Sequence, residues 1–190
     1  MGKIFKSYFL FIVVFLLSCA SDLEQSGSKI ILENTTVAIK NKYLVLNGDV
    51  SVELEDTLIQ ALRTGIPLEF SSEFEIYKPS FIWSKNIYSK KRYATLQYHG
   101  ITRRFSVQVN SGKFVYFESL TEALAACLSV RDWISVPANN LSVKKNNVYA
   151  RIRLKLNLES LPRPISIVAA SDNSWQVSTG WVDVILGDMY

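Results

Sequence analysis

The sequence predicts a mainly β (α+β) fold: an antiparallel β-sandwich or curved sheet of about eight strands with two short helices. Three observations carry this. Apolar residues alternate with polar ones in long runs, as in Leu68–Ile76 and Ala150–Leu158, which is the signature of strands with one solvated face. Turn residues punctuate those runs at short intervals. Two brief stretches instead carry helical spacing and helix-start signals.

Taken in order, period-two patterning begins at residue 30. Tyr43–Leu46, Asn47-Gly48 and Asp49–Leu54 read as strand, tight turn and strand, because Asn-Gly is the strongest short hairpin signal. Asp56 is placed to cap a first helix over Thr57–Thr64, with Leu58, Ile59 and Leu62 on one side. Gly65 and Pro67 then stop it. In the next strand Leu68, Phe70, Phe74 and Ile76 point one way, and Glu69, Glu73 and Glu75 the other. Residues 88–98 and 102–110 form a pair about His99-Gly100, and Asn110-Ser111-Gly112 turns into Lys113–Phe117. Ser119-Leu-Thr-Glu122 is a capping box for a second helix whose apolar face is Leu120, Ala123, Leu124, Cys127 and Leu128. Lys144–Asn147 turn into a strand over Val148–Leu158. After the break at Leu161–Pro164, a last pair of strands is expected near 165–170 and 175–186.

The 190 residues are 48% hydrophobic, 20% charged and 12% aromatic, a globular composition. The N-terminus divides off. Lys3 and Lys6 precede ten unbroken apolar residues, Tyr8–Leu17, and Ser18-Cys19-Ala20 follows. A basic start, a short apolar core and small residues at the end define a secretory signal, expected over residues 1–18. Ten residues rise about 15 Å as a helix, half of a bilayer core, so a spanning helix is the weaker reading. Leu16-Leu17-Ser18-Cys19 resembles the lipobox of bacterial lipoproteins, which implies cleavage before Cys19 and lipidation of its thiol. Multiple acyl chains give durable anchoring to a membrane. Ala20, by resemblance to sorted lipoproteins, points to the outer membrane. Residues 19–29 then serve as a lipid-anchored flexible tether, and 30–190 form a single β-rich domain. Cys127 is left without a partner in the chain, so no disulfide framework is expected, and on its helix face it reads as inert core.

Chemistry is sparse. One histidine, His99, lies in a turn without an evident nucleophile, so a hydrolytic triad is not expected. Ligands for zinc are too few, and no glycine-rich phosphate loop occurs; no cofactor or metal is expected. Removing the two presequence lysines takes the net charge from +4 to +2, too mild for a nucleic-acid binder. The Glu69, Glu73 and Glu75 stripe fits solvent better than a catalytic pair. Arg151, Arg153 and Lys155 are the candidate contact for an anionic surface, with Lys90-Lys-Arg92 and Arg103-Arg104 elsewhere. Cross-strand pairing with the acidic stripe is the favoured alternative. Trp83, Trp133, Trp175 and Trp181 fit either a ligand groove or an aromatic core.

Several landmarks in order resemble a bacterial envelope family, domain of unknown function family 4390. They are Ala61–Leu68, Phe74–Pro79 with Trp83, Leu120–Leu124 leading to Arg131-Asp132-Trp133, Leu161–Pro164, and the pair Trp175 and Trp181. The resemblance spans roughly residues 30–185. It implies an exported protein of unassigned activity with no catalytic residues to carry over, often encoded near a sensor kinase, which suggests a sensing accessory. The lipobox-like cysteine is a departure from the family's general pattern. The function expected is a non-enzymatic, membrane-tethered periplasmic interaction module with an envelope protein partner. The alternatives are a carrier or chaperone for a lipid or apolar ligand, and a hydrolase of unrecognised type.

Overall fold

Strand-forming runs and turn residues resolve into nine strands and three α-helices among the described residues. The computed structural model describes residues 27–80, 84–137 and 148–186. The strands are β1 (Lys29–Lys40), β2 (Tyr43–Glu53), β3 (Leu68–Lys78), β4 (Lys85–His99), β5 (Arg104–Val109), β6 (Phe114–Phe117), β7 (Ser135–Pro137), β8 (Tyr149–Leu156) and β9 (Val182–Leu186). The helices are α1 (Asp56–Arg63), α2 (Leu120–Leu128) and α3 (Arg163–Ser171), with single 3-10 turns at Leu158–Ser160 and Asn173–Trp175.

The strand order is β6-β5-β4-β3-β8-β9-β1-β2-β7. Two antiparallel sheets make up this order, as the alternating sequence predicts. They meet at a parallel contact of two residue pairs, Thr36 with Ile185 and Val37 with Leu186. Helix α2 touches β2 as well as β3, β4, β5 and β6. In a flat sheet β5 and β2 would lie about 29 Å apart, six strand spacings. Nine helical residues span only about 14 Å, so the sheet curls around α2. The inward side chains then form one core, in which Phe70, Phe74, Leu96, Ile152 and Leu154 pack with Val37, Leu46, Leu58, Leu62, Leu124 and Leu128.

Several local expectations are corrected. β2 runs straight through Asn47-Gly48. The hairpin instead turns at Asn41-Lys42, both at positive φ (53° and 69°), between the paired residues Lys40 and Tyr43. That is the geometry of a two-residue type I′ turn. Gly48 has a different use, since a Cβ there would stand 3.2 Å from Val130 and 3.3 Å from Thr35. The N-cap of α1 is Glu55, and Asp56 is the first helical residue, where its charge favours the helix dipole. The stop at Gly65 is as expected: φ is +94°, with Gly65 N–H on Leu62 and Ile66 N–H on Ala61. Ser119 accepts from Glu122 N–H and caps α2.

The expected strand at 165–170 is helix α3, a third helix. Its β-branched run Ile-Ser-Ile-Val reads as strand, but Pro164 sits in the first helical turn, where it needs no donor and favours the helix. β8 ends at Leu156, and Leu158 belongs to a 3-10 turn. The presequence, Cys19, Trp83 and the turn at Lys144–Asn147 lie outside the described residues. No described helix is long and apolar enough to cross a membrane.

Candidate functional site

The outer face of β3, β4 and β8 gathers the charged residues singled out from the sequence. Alternation turns Glu69, Glu73 and Glu75 outward on β3, and the register sets Glu73 between Lys91 and Arg153, and Glu75 opposite Arg151. Arg153 bonds Glu73 through both Nε and Nη2, Lys91 Nζ lies 3.0 Å from Glu73 Oε1, and Lys155 Nζ lies 3.7 Å from it. Arg151 holds Glu75 Oε2 through Nε at 2.9 Å and Nη2 at 2.7 Å. Trp181 covers both guanidiniums, at 4.3 Å from Arg151 and 4.5 Å from Arg153. Arg151 also faces Tyr77, which stacks on Tyr149.

Arg151, Arg153 and Lys155 are thus brought together, but each is engaged by a carboxylate. Burial alone would raise the Glu73 carboxyl, yet the hydrogen bonds from Arg153 and Lys91 and the neighbouring charges hold it below the usual glutamate range. It stays ionised and cannot serve as a general acid at neutral pH. Glu69 accepts from Asn157 Nδ2 at 2.7 Å and lines a polar groove of about 450 Å³ with Tyr93, Gln108 and Glu159. The face reads as a cross-strand ladder that stabilises the sheet.

The same alternation separates the Lys90-Lys-Arg92 run. Lys91 faces outward, while Lys90 and Arg92 turn inward. Lys90 Nζ donates to the Trp133 carbonyl at 3.2 Å. Arg92 Nη2 donates to the Ser129 carbonyl at 2.6 Å and to Ser72 Oγ at 3.3 Å, with Trp133 stacked 5.0 Å away. These two cations fasten β4 to the segment that follows α2. Cys127 is fully buried beside them, and burial pushes its thiol up to about 12, so it is an unreactive core residue. Trp175 is buried in the core.

His99 has a partner that the sequence did not reveal. It is the last residue of β4, and its Nε2 lies 2.8 Å from Ser106 Oγ on β5. Ser106 is fully buried, so its hydroxyl is closed to substrate, and the pair is a cross-strand hydrogen bond. The His99 ring packs on Tyr116 with centroids 5.7 Å apart.

Tyr116 leads to an exposed apolar edge of the sheet. β6 is an edge strand paired only with β5 among the described residues, and it reads Phe-Val-Tyr-Phe. Phe114, Val115 and Tyr116 are 49%, 54% and 56% exposed. Edge strands are ordinarily protected by charge, proline, a bulge or shortness. The opposite edge, β7, is three residues long and ends in Pro137. β6 is also short, at four residues, but it has no charge or proline within it, and its outward N–H and C=O groups have no strand against them among the described residues. The Arg104–Glu118 ion pair (2.9 Å) flanks one end. The signal was present in the sequence as four consecutive β-forming apolar residues, a pattern that a strand with one solvated face would not need.

No group of three or more His, Cys, Asp or Glu that could hold a metal occurs among the described residues. The model of the family described as "Domain of unknown function (DUF4390)" matches residues 27–184. That is most of the chain, and the chain belongs to this family. The family description assigns no enzymatic activity. No curated protein matches the chain. No solved structure matches it either.

Proposed function

We propose that this member of the DUF4390 family is a non-enzymatic interaction module, tethered by a lipid on Cys19 to a membrane on the periplasmic side of a bacterial envelope. It captures an extended segment of an envelope protein by adding it as a strand to β6. The observation that carries this reading is the edge at Phe114–Phe117, where three apolar side chains are exposed and the outward main-chain groups meet no strand among the described residues. Strand addition draws affinity from main-chain hydrogen bonds and specificity from alternate side chains. Phe114 and Tyr116 would read one face of the added strand, and Val115 the other. A role as accessory to an envelope sensor fits a module that binds and carries out no chemistry.

The test is a photo-crosslinking amino acid placed at Tyr116 in cells, with a second at Tyr149 on the outer face of β8 as control. An adduct of discrete mass at 116, absent at 149 and lost with Val115→Lys, supports strand capture. No adduct at 116, or equal adducts at both sites, would sink it. Turnover of a substrate by the purified chain would overturn the non-enzymatic part.

A further inference from the structure

Helix α3 turns an unusual face to solvent. Ala169 is fully buried and Ile165 packs against the core, which fixes the inward side of the helix. The outward side therefore carries Arg163, Pro164, Ile167, Val168 and Ser171, all exposed. Ile167 is 72% exposed and Val168 61% exposed, and the helix has no acidic residue. The outward side of α1, by contrast, is polar, with Asp56, Thr57, Gln60 and Arg63. An exposed aliphatic pair beside a cation, with no acid inside the helix, is a surface that can enter a membrane interface, with Asp172 standing just past its C-terminal end.

The position of the tether says what covers this face. The described chain begins at Gly27, and Gly27 and Ser28 line a groove of about 810 Å³ with Asp172, Ser174 and Gln176. Those residues directly follow α3. Ser28 Oγ donates to the Ser174 carbonyl at 3.4 Å, and Glu55 N–H donates to Ser28 Oγ at 2.8 Å. Gln176 Nε2 in turn donates to the Ala169 and Ala170 carbonyls at the end of α3. The tether thus leaves the domain beside the C-terminal end of α3. Eight residue steps connect Gly27 to Cys19, a reach of at most about 29 Å. A domain of this size is about 40 Å across. An anchor on so short a leash favours orientations that bring the groove side, and α3 with it, toward the bilayer.

We infer that the outward face of α3, centred on Ile167 and Val168, docks in the headgroup region of the membrane that holds the lipid anchor. The inference rests on the tethered reading of Cys19. Two aliphatic side chains are a weak anchor alone, but a short tether raises their effective concentration at the surface to the millimolar range. Docking fixes the orientation of the domain rather than its attachment. The surface involved is separate from β6, which stays free for a partner.

The experiment uses the lipidated chain reconstituted into vesicles of phosphatidylethanolamine and phosphatidylglycerol (3:1). An environment-sensitive fluorophore is attached through Ile167→Cys or, as control, Tyr149→Cys. Cys127 is buried and does not compete for the label. Nitroxide-bearing lipids should quench the probe at 167 at least twofold more than the probe at 149. Adding Val168→Glu, an exposed position that tolerates charge, should remove about half of that difference. A chain that sediments with the vesicles but is quenched equally at 167 and 149 overturns the docking while leaving the tether intact. A chain that does not sediment with the vesicles overturns both.

Discussion

Glu73 shows how one side chain can set the pH response of the sheet. Its side chain is only 13% exposed and is approached by Lys91, Arg153 and Lys155. Its folded carboxyl titrates below the usual range, so the stabilisation it provides is complete above the unfolded pKa and disappears as pH falls through the folded one. Glu73→Gln is therefore expected to cost roughly 1–3 kcal/mol at pH 7, because three cations lose their shared counter-charge. It should cost less at acidic pH than at pH 7, because the native carboxyl itself takes up a proton as pH falls through its folded value. Urea titrations followed by tryptophan fluorescence at the two pH values check this, and an equal loss at both would refute it. Arg92 is a different case, a buried cation bonded only to a hydroxyl and a carbonyl. Arg92→Ala leaves the Ser129 carbonyl without its donor and opens a void against Trp133. A loss of about 2–4 kcal/mol is expected in the same titration.

Elements were legible in the sequence where period and capping agreed. β3, β8, α1 and α2 fall close to where alternation, the capping box and Gly65 place them. They misled where one signal had two uses. Asn47-Gly48 carries hairpin chemistry, yet Gly48 is favoured by the close approach of the Val130 and Thr35 side chains, and the turn falls on Asn41-Lys42 instead. A left-handed lysine is invisible in a sequence, because local preference argues against it. Lys42→Gly is accordingly expected to stabilise the chain by about 0.5–1 kcal/mol, since glycine accepts positive φ without strain. Gly48→Ala should destabilise it by about 1 kcal/mol through overpacking. Melting temperatures moving in opposite directions would verify both assignments, whereas two shifts of the same sign would contradict one of them. α3 is not legible because a β-branched run after Pro164 resembles a strand, and only the burial of Ala169 and the packing of Ile165 show the helical period. β6 is legible as a strand, but its exposure depends on a strand order that no local pattern encodes.

At the scale of the whole molecule, curvature ties the two antiparallel sheets into one folding unit. The strand contact between them is only two residue pairs, Thr36–Ile185 and Val37–Leu186, too few to couple them alone. Coupling comes from α2, which touches β2 on one side of that contact and β3, β4, β5 and β6 on the other. The backbone reinforces it, since Asp132 N–H donates to the Leu46 carbonyl while Lys90 and Arg92 hold the Ser129–Trp133 segment from β4. Leu128, fully buried on α2, belongs to the core shared by both sheets. Leu128→Ala should cost about 2–5 kcal/mol. If α2 is the link, the loss should appear equally in both sheets. Native-state hydrogen exchange reads this directly, because globally protected amides report the same unfolding free energy wherever they lie. The slowest amides of β1–β2 and of β3–β4 are expected to share one free energy in the native chain and to fall together in Leu128→Ala. Loss confined to β1–β2, with β3–β4 unchanged, would mean that the sheets fold independently and that the core across α2 does not bind them into a single cooperative unit.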